Sequence, residues 1–88
     1  MVKRMMANFY GHEILVVNTW FSGARLYING ECRAESGAVF VLNWKQALLT
    51  AEFDDDGELH IVEVFFRAIF MVEIKICVDG QQIGGEVF

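Results

Sequence analysis

Proline is absent from this chain, and with it the residue that most often marks linkers, helix kinks and sheet-edge breaks. No low-complexity stretch replaces it, so punctuation falls to the eight glycines and to the turns they permit. Cysteine is scarce as well. Cys32 and Cys77 are the only two, too few for a disulfide framework and too far apart for a metal-binding pair. Positive charge is thin: seven Lys and Arg, dispersed apart from Lys3-Arg4, stand against twelve acidic residues for a formal charge of −5. A nucleic-acid partner requires a clustered basic face, and none is present.

A long uninterrupted apolar run is also missing. Residues 59 to 78 contain His60, Glu63, Arg67, Glu73 and Lys75, too many charges for a bilayer span of roughly 20 apolar residues. The stretch after Lys3-Arg4, MMANFYGHE, lacks the apolar segment of a secretory signal. A cytoplasmic, reduced protein with neither membrane nor nucleic acid as partner is therefore expected.

What the chain has in excess is apolar surface. Hydrophobic residues make up 55 % and aromatics 14 %, against an apolar fraction of about 45 to 50 % in ordinary domains. A chain of 88 residues buries only about 60 to 65 % of its unfolded surface. The surplus implies a surface covered by another copy, because large exposed apolar patches mark interaction sites. A homodimer or higher homo-oligomer is expected.

The glycines divide the chain into β-rich runs at residues 9–20, 24–28, 31–35, 38–43, 47–53, 58–68, 70–78 and 81–88, rich in Val, Ile, Phe, Tyr and Trp. The expected fold is all-β, a small antiparallel meander forming a sandwich or half-open barrel. Residues 1–7 are expected as a flexible tail and 8–88 as a single β domain. One short helix near residues 43–52 is the rival to a strand there, since Asn43 and Gln46 make a capping box and Trp44, Ala47, Leu48 and Ala51 recur at helical spacing.

Parity of side chains tests the hairpins. In ICVDGQQI a two-residue Asp79-Gly80 turn sets Val78 opposite Gln81, Ile76 opposite Ile83 and Val72 opposite Val87, with apolar residues on one face. In LYINGEC a two-residue loop mixes polar and apolar residues, whereas a three-residue loop over 28–30 groups Ala24, Leu26, Cys32 and Ala34. The two echoing stretches are thus expected to be unlike hairpins. The acidic DDDG turn fits an even loop that joins Ala47, Leu49, Ala51 and Phe53 to Val62, Val64 and Phe66. Every even position of residues 62–78 is apolar or Ala, so that run must turn or bend through an odd loop or a bulge near Arg67-Ala68-Ile69. Its odd face carries Ile61, Phe65, Ile69 and Met71, which implies cover on both sides.

The turns Tyr27 to Gly30 and Val78 to Gly80 resemble turns in the β-sandwich of the Fas apoptotic inhibitory molecule family. The likeness covers those two hairpins, and no function is carried over from it.

Among chemistry-bearing residues, Glu52, Asp54, Asp56 and Glu63 follow the spacing of a calcium loop with Gly57 at its sixth position. The flanks read as strands, and Glu63 in a strand cannot fold back as a ligand. His12, His60, Cys32 and Cys77 lack zinc spacing, and no nucleophile elbow or phosphate loop occurs. No catalytic residue and no cofactor is assigned. Trp20 and Phe21, consecutive beside Ser22-Gly23, cannot both face inward and are candidate subunit contacts together with Ile61, Phe65, Ile69 and Met71. Tyr10, His12, Trp44 and His60 are the candidate lining of a ligand pocket on the concave side of the sheet. The expected function is a self-associating, non-catalytic interaction module. The alternative is a small-molecule-binding protein or enzyme using His12 or His60.

Overall fold

The computed structural model describes residues 2–19, 23–37, 44–68 and 71–88. Eight strands follow in order: β1 (Val2–Phe9), β2 (His12–Thr19), β3 (Gly23–Ile28), β4 (Glu31–Ser36), β5 (Leu49–Asp55), β6 (Glu58–Ala68), β7 (Val72–Val78) and β8 (Gln81–Gly85). They form two antiparallel four-stranded meanders, β1-β2-β3-β4 and β5-β6-β7-β8, packed together as a small sandwich that does not close into a barrel. Among the described residues there is no helix, hence none long and apolar enough to cross a membrane.

Period-two alternation places the core between the sheets. Ile14, Val16, Ala24, Leu26 and Ile28 from the first sheet meet Leu49, Phe53, Val62, Val64, Phe66, Ile74, Ile76 and Val78 from the second, all buried. At one side of the sandwich β1 lies against β8 so closely that a Cβ on Gly84 would come 2.9 Å from that of Ala7. A basic side chain bridges the sheets at each side. Lys3 donates to the Val72 carbonyl and to Glu86, and Arg33 donates to the Glu52 carbonyl at 2.6 Å.

Four hairpins turn on two residues each with positive φ: Tyr10-Gly11, Asn29-Gly30, Asp56-Gly57 and Asp79-Gly80. These are type I′ turns, whose twist matches that of the strands they join. The DDDG turn therefore has its even loop, with Phe53 and His60 paired across it. Ala68 pairs with Val72, which gives the odd connection that parity requires.

Several expectations are corrected. Residues 2 to 7 are not a tail: they belong to β1, paired with β2 over its whole length. The run 9–20 is split at Tyr10-Gly11, a turn that is hard to see because Tyr seldom takes positive φ. The helix alternative fails, since Leu49–Asp55 is a strand and Trp44 to Gln46 form turn and bend. The run 38–43 lies outside the described residues.

The two echoing hairpins are alike. In the first, Ile28 pairs with Glu31, Tyr27 with Cys32 and Leu26 with Ala34, leaving Arg33 as a bulge. In the second, Val78 pairs with Gln81 as expected and Cys77 with Gln82, but Ile76 pairs with Gly84 and not with Ile83, which is left as a bulge. The extra residue that parity demands sits in the strand three residues past the glycine, and the turn itself stays tight. Bulges of this kind add a residue without lengthening the loop.

Candidate functional site

One end of the sandwich gathers the hairpin turns Tyr10-Gly11, Asn29-Gly30, Asp56-Gly57 and Asp79-Gly80, and here both histidines lie. His12 opens β2 and His60 lies near the start of β6, each at a position whose parity faces the other sheet. Between them Phe9 and Phe53 close the end of the core. Phe9 meets the His60 ring edge-on at 4.9 Å and Phe53 at 5.9 Å, and Phe53 lies 4.9 Å from the His12 ring and 5.4 Å from that of His60.

Each histidine is held by the Asx of the next type I′ turn, in the same way. Asn29 Oδ1 accepts the Glu13 amide at 2.9 Å, and its Nδ2 donates to His12 Nδ1 at 3.0 Å. Asp79 Oδ1 accepts the Ile61 amide at 2.9 Å, and its Oδ2 accepts from His60 Nδ1 at 2.5 Å. One residue type inverts the proton arrangement. The Asn29 amide makes His12 Nδ1 an acceptor, so Nε2 carries the proton and donates to Asp55 Oδ1 at 3.0 Å. The Asp79 carboxylate makes His60 Nδ1 a donor.

The hydrogen bond to Asp79 raises the His60 pKa above the ordinary imidazole value. Burial opposes the rise, and the charges of Asp79, Glu58 and Asp55 add to it. Reciprocally, the bond from His60 and then the Ile61 amide hold the Asp79 carboxyl below the usual carboxylate range.

Beside His60 opens a cleft of about 470 Å³, lined by Phe9, Tyr10, Asp55, Glu58, His60 and Asp79, with Val78 and Gln81 completing it. Two of the four sequence-predicted pocket residues, Tyr10 and His60, are thus brought together. His12 adjoins through Asp55. Trp44 does not take part: it packs edge-on against Phe88, 6.2 Å between ring centres. The inner sheet face is filled by core, and the cleft lies at the sandwich end.

The calcium-spaced residues are spread along a hairpin. Glu52 and Asp54 lie on β5, Asp56 is in the turn, and Glu63 pairs with Thr50 on β6. Asp54 Oδ2 accepts the Gly57 amide at 3.2 Å. Glu63 is thus four residues along the ladder from Asp54, about 13 Å at ~3.3 Å per residue. Among the described residues no group of three or more His, Cys, Asp or Glu is arranged to hold a metal ion.

Of the candidate contact residues, Ile61 and Phe65 lie on the outer face of β6, while Met71 directly precedes β7 and is 68 % exposed. Trp20, Phe21 and Ile69 lie outside the described residues. Cys32 is exposed and Cys77 buried, both as free thiols, and burial pushes the Cys77 thiol up.

Residue-type searching missed Asn29, Asp55 and Asp79, whose roles are set by pairing. A signal for two of them was present: each histidine starts a hydrophobic strand whose partner strand ends in Asn-Gly or Asp-Gly. Compared with models of known protein families, with curated proteins and with solved structures, the chain matches none of them.

Proposed function

We propose that this protein is a non-catalytic binding module of the cytoplasm that pairs with a second copy of itself through the outer face of the β5–β8 sheet. The observation that carries this is the outward row of β6. Leu59 is 59 % exposed and Ile61 46 % exposed, and Phe65 follows two residues beyond Glu63 on the same face. A surface strand of a solitary sandwich ordinarily alternates apolar-in and polar-out.

Charges of both signs border the row. Glu52 and Asp54 flank the row on β5, and Lys75, its ammonium 4.9 Å from the Phe65 ring centre, flanks it on β7. The two free thiols suit a reducing compartment.

Sedimentation equilibrium of the wild type and of Ile61→Lys tests the proposal. The expected result is twice the chain mass for the wild type and a single chain mass for the variant, with the far-ultraviolet spectrum unchanged. A wild type that stays monomeric at high micromolar concentration overturns it.

A further inference from the structure

We infer that Asn29 is a site of self-modification, its side-chain amide hydrolysed by water to a carboxylate with His12 as the proton carrier and Asp55 behind it. The event is a single conversion of the chain's own side chain. It is separate from the proposed dimer face and stands without it.

Three groups line up on the Asn29 carboxamide. Its Oδ1 accepts the Glu13 amide at 2.9 Å, and its Nδ2 donates to His12 Nδ1 at 3.0 Å. On the far side of the ring, Nε2 donates to Asp55 Oδ1 at 3.0 Å. An imidazole set between a reacting group and a carboxylate is how acyl-transfer sites carry a proton through the reaction. A backbone N–H on the carbonyl oxygen is how such sites hold the oxyanion. Asn29 and Gly30 are exposed, and a Cβ on Gly30 would meet nothing within 4 Å, so solvent borders the amide. Asn8, in the neighbouring turn, accepts the Gly11 amide but has no imidazole on its nitrogen among the described residues.

The steps balance with water as the only co-reactant. Water adds to Cγ as His12 Nδ1 takes one of its protons. The new C–O bond leaves negative charge on Oδ1, which faces the Glu13 N–H, while Asp55 faces the positive ring. Nδ1 then passes the proton to Nδ2, the Cγ–Nδ2 bond breaks, and ammonia departs. The acid that remains loses its proton to solvent, so amide and water become carboxylate and ammonium.

The second sheet already holds the geometry of the product. The φ values of Asn29 and Gly30 are 53° and 83°, and those of Asp79 and Gly80 are 52° and 83°. Asp79 accepts both the Ile61 amide and the His60 Nδ1–H, as a carboxylate at residue 29 would accept the Glu13 amide and a proton on His12 Nδ1. Conversion therefore keeps the turn and makes the first clasp a copy of the second, with His12 held between two carboxylates.

Incubation of the full chain at neutral pH over weeks, followed by peptide mapping with mass spectrometry, tests the inference. A gain of about 1 Da is expected at Asn29, with ordinary α-linked aspartate as the product and with Asn8 and Asn18 unchanged. His12→Phe should slow the conversion about a hundredfold. Asp55→Asn should slow it about tenfold at an unchanged urea midpoint, whereas Asp55→Glu keeps a carboxylate and retains most of the rate. Asp55 is half-exposed, so its variants keep the fold. The inference is overturned if Asn29 stays an amide, if the product carries the isoaspartyl linkage left by attack of the Gly30 amide, or if Asp55→Asn converts as fast as the wild type.

Discussion

The β1–β4 and β5–β8 sheets are built to one plan. In both, the first hairpin turns on a type I′ pair whose glycine amide is bonded by an Asx two residues before that pair: Asn8 to Gly11 at 3.0 Å and Asp54 to Gly57 at 3.2 Å. In both, the third hairpin carries an Asx-Gly turn, a histidine clasp and a bulge three residues past the glycine. The sheets differ in charge. Asn8 and Asn29 of the first are matched by Asp54 and Asp79 of the second, and residues 1–43 hold three acidic and four basic residues where residues 44–88 hold nine and three. Shared backbone devices set the architecture, and the amide-to-carboxylate exchange concentrates negative charge at one end, where the cleft lies.

If the plan is shared, matched core positions should fail alike. Leu26 and Ile76 both lie on third strands, both pair across the bulge, and both are fully buried. Leu26→Ala and Ile76→Ala are each expected to cost about 2 to 5 kcal/mol, read as the shift in urea midpoint at constant slope. A variant that loses much less than its counterpart shows a sheet whose core is not closed on that side.

The tight turns give the next largest effect. Gly30 and Gly80 share a φ of +83°, and an added Cβ at either meets open space, so the penalty is purely conformational. Gly30→Ala and Gly80→Ala should each lose about 1 to 2 kcal/mol by the same denaturant measurement. Unequal losses would revive the idea that the two hairpins differ.

These turns also show what could be read from the sequence. Alternation alone identified the all-β fold, the DDDG and 68-to-72 connections and the two-residue Asp79-Gly80 turn, because burial on one face makes register a matter of parity; beyond that turn the expected Ile76–Ile83 and Val72–Val87 pairs are displaced by the Ile83 bulge. Parity counts residues without locating the extra one, so LYINGEC was compatible with a long loop or with a tight turn followed by the Arg33 bulge. Tyr10-Gly11 escaped because its first residue is the wrong type for the conformation, and β1 was hidden behind it. The cleft was half legible: Tyr10 and His60 stand out as residue types, whereas Asp55 and Asp79 matter only through neighbours that the ladder brings together.

Tyr10 is the position at which the plan is locally broken. The equivalent residue of the second sheet is Asp56, and Asn29 and Asp79 occupy the same place in the other two turns. Tyr10 holds φ at 47° while 83 % exposed, and among the described residues its ring contact is an edge-on one to Phe9, 4.7 Å between centres. Asn and Asp tolerate this conformation better than a bulky side chain. Tyr10→Asn should stabilise the protein by about 0.5 to 1 kcal/mol, raising Tm by a few degrees, ~4 to 8 °C per kcal/mol at this size. Asp56→Tyr should cost a similar amount. A Tyr10→Asn variant that melts lower than the wild type would mean that the ring contributes packing beyond the Phe9 contact.

The smallest effect isolates the difference in charge. His60 has a raised pKa in the folded chain, so its bond to Asp79 contributes fully below the unfolded imidazole value of about 6.5 and is lost as pH rises through the folded value. Asp79, held low, contributes above its unfolded pKa and loses that contribution as pH falls through the folded one. The clasp of the second sheet is therefore strongest when Asp79 is ionised and His60 protonated. Its stabilisation fades towards alkaline pH. Asp79→Asn keeps an acceptor for the Ile61 amide and presents a donor to His60 Nδ1, reproducing the arrangement of Asn29 with His12. Stability measured across roughly pH 5 to 8 should then lose the decline that His60 produces in the wild type. Asn29→Asp should install a like decline in the first sheet, since a carboxylate there needs a proton on His12 Nδ1. If Asp79→Asn leaves the pH profile unchanged, the exchange of amide for carboxylate does not govern protonation at the clasp, and the two sheets differ there in form only.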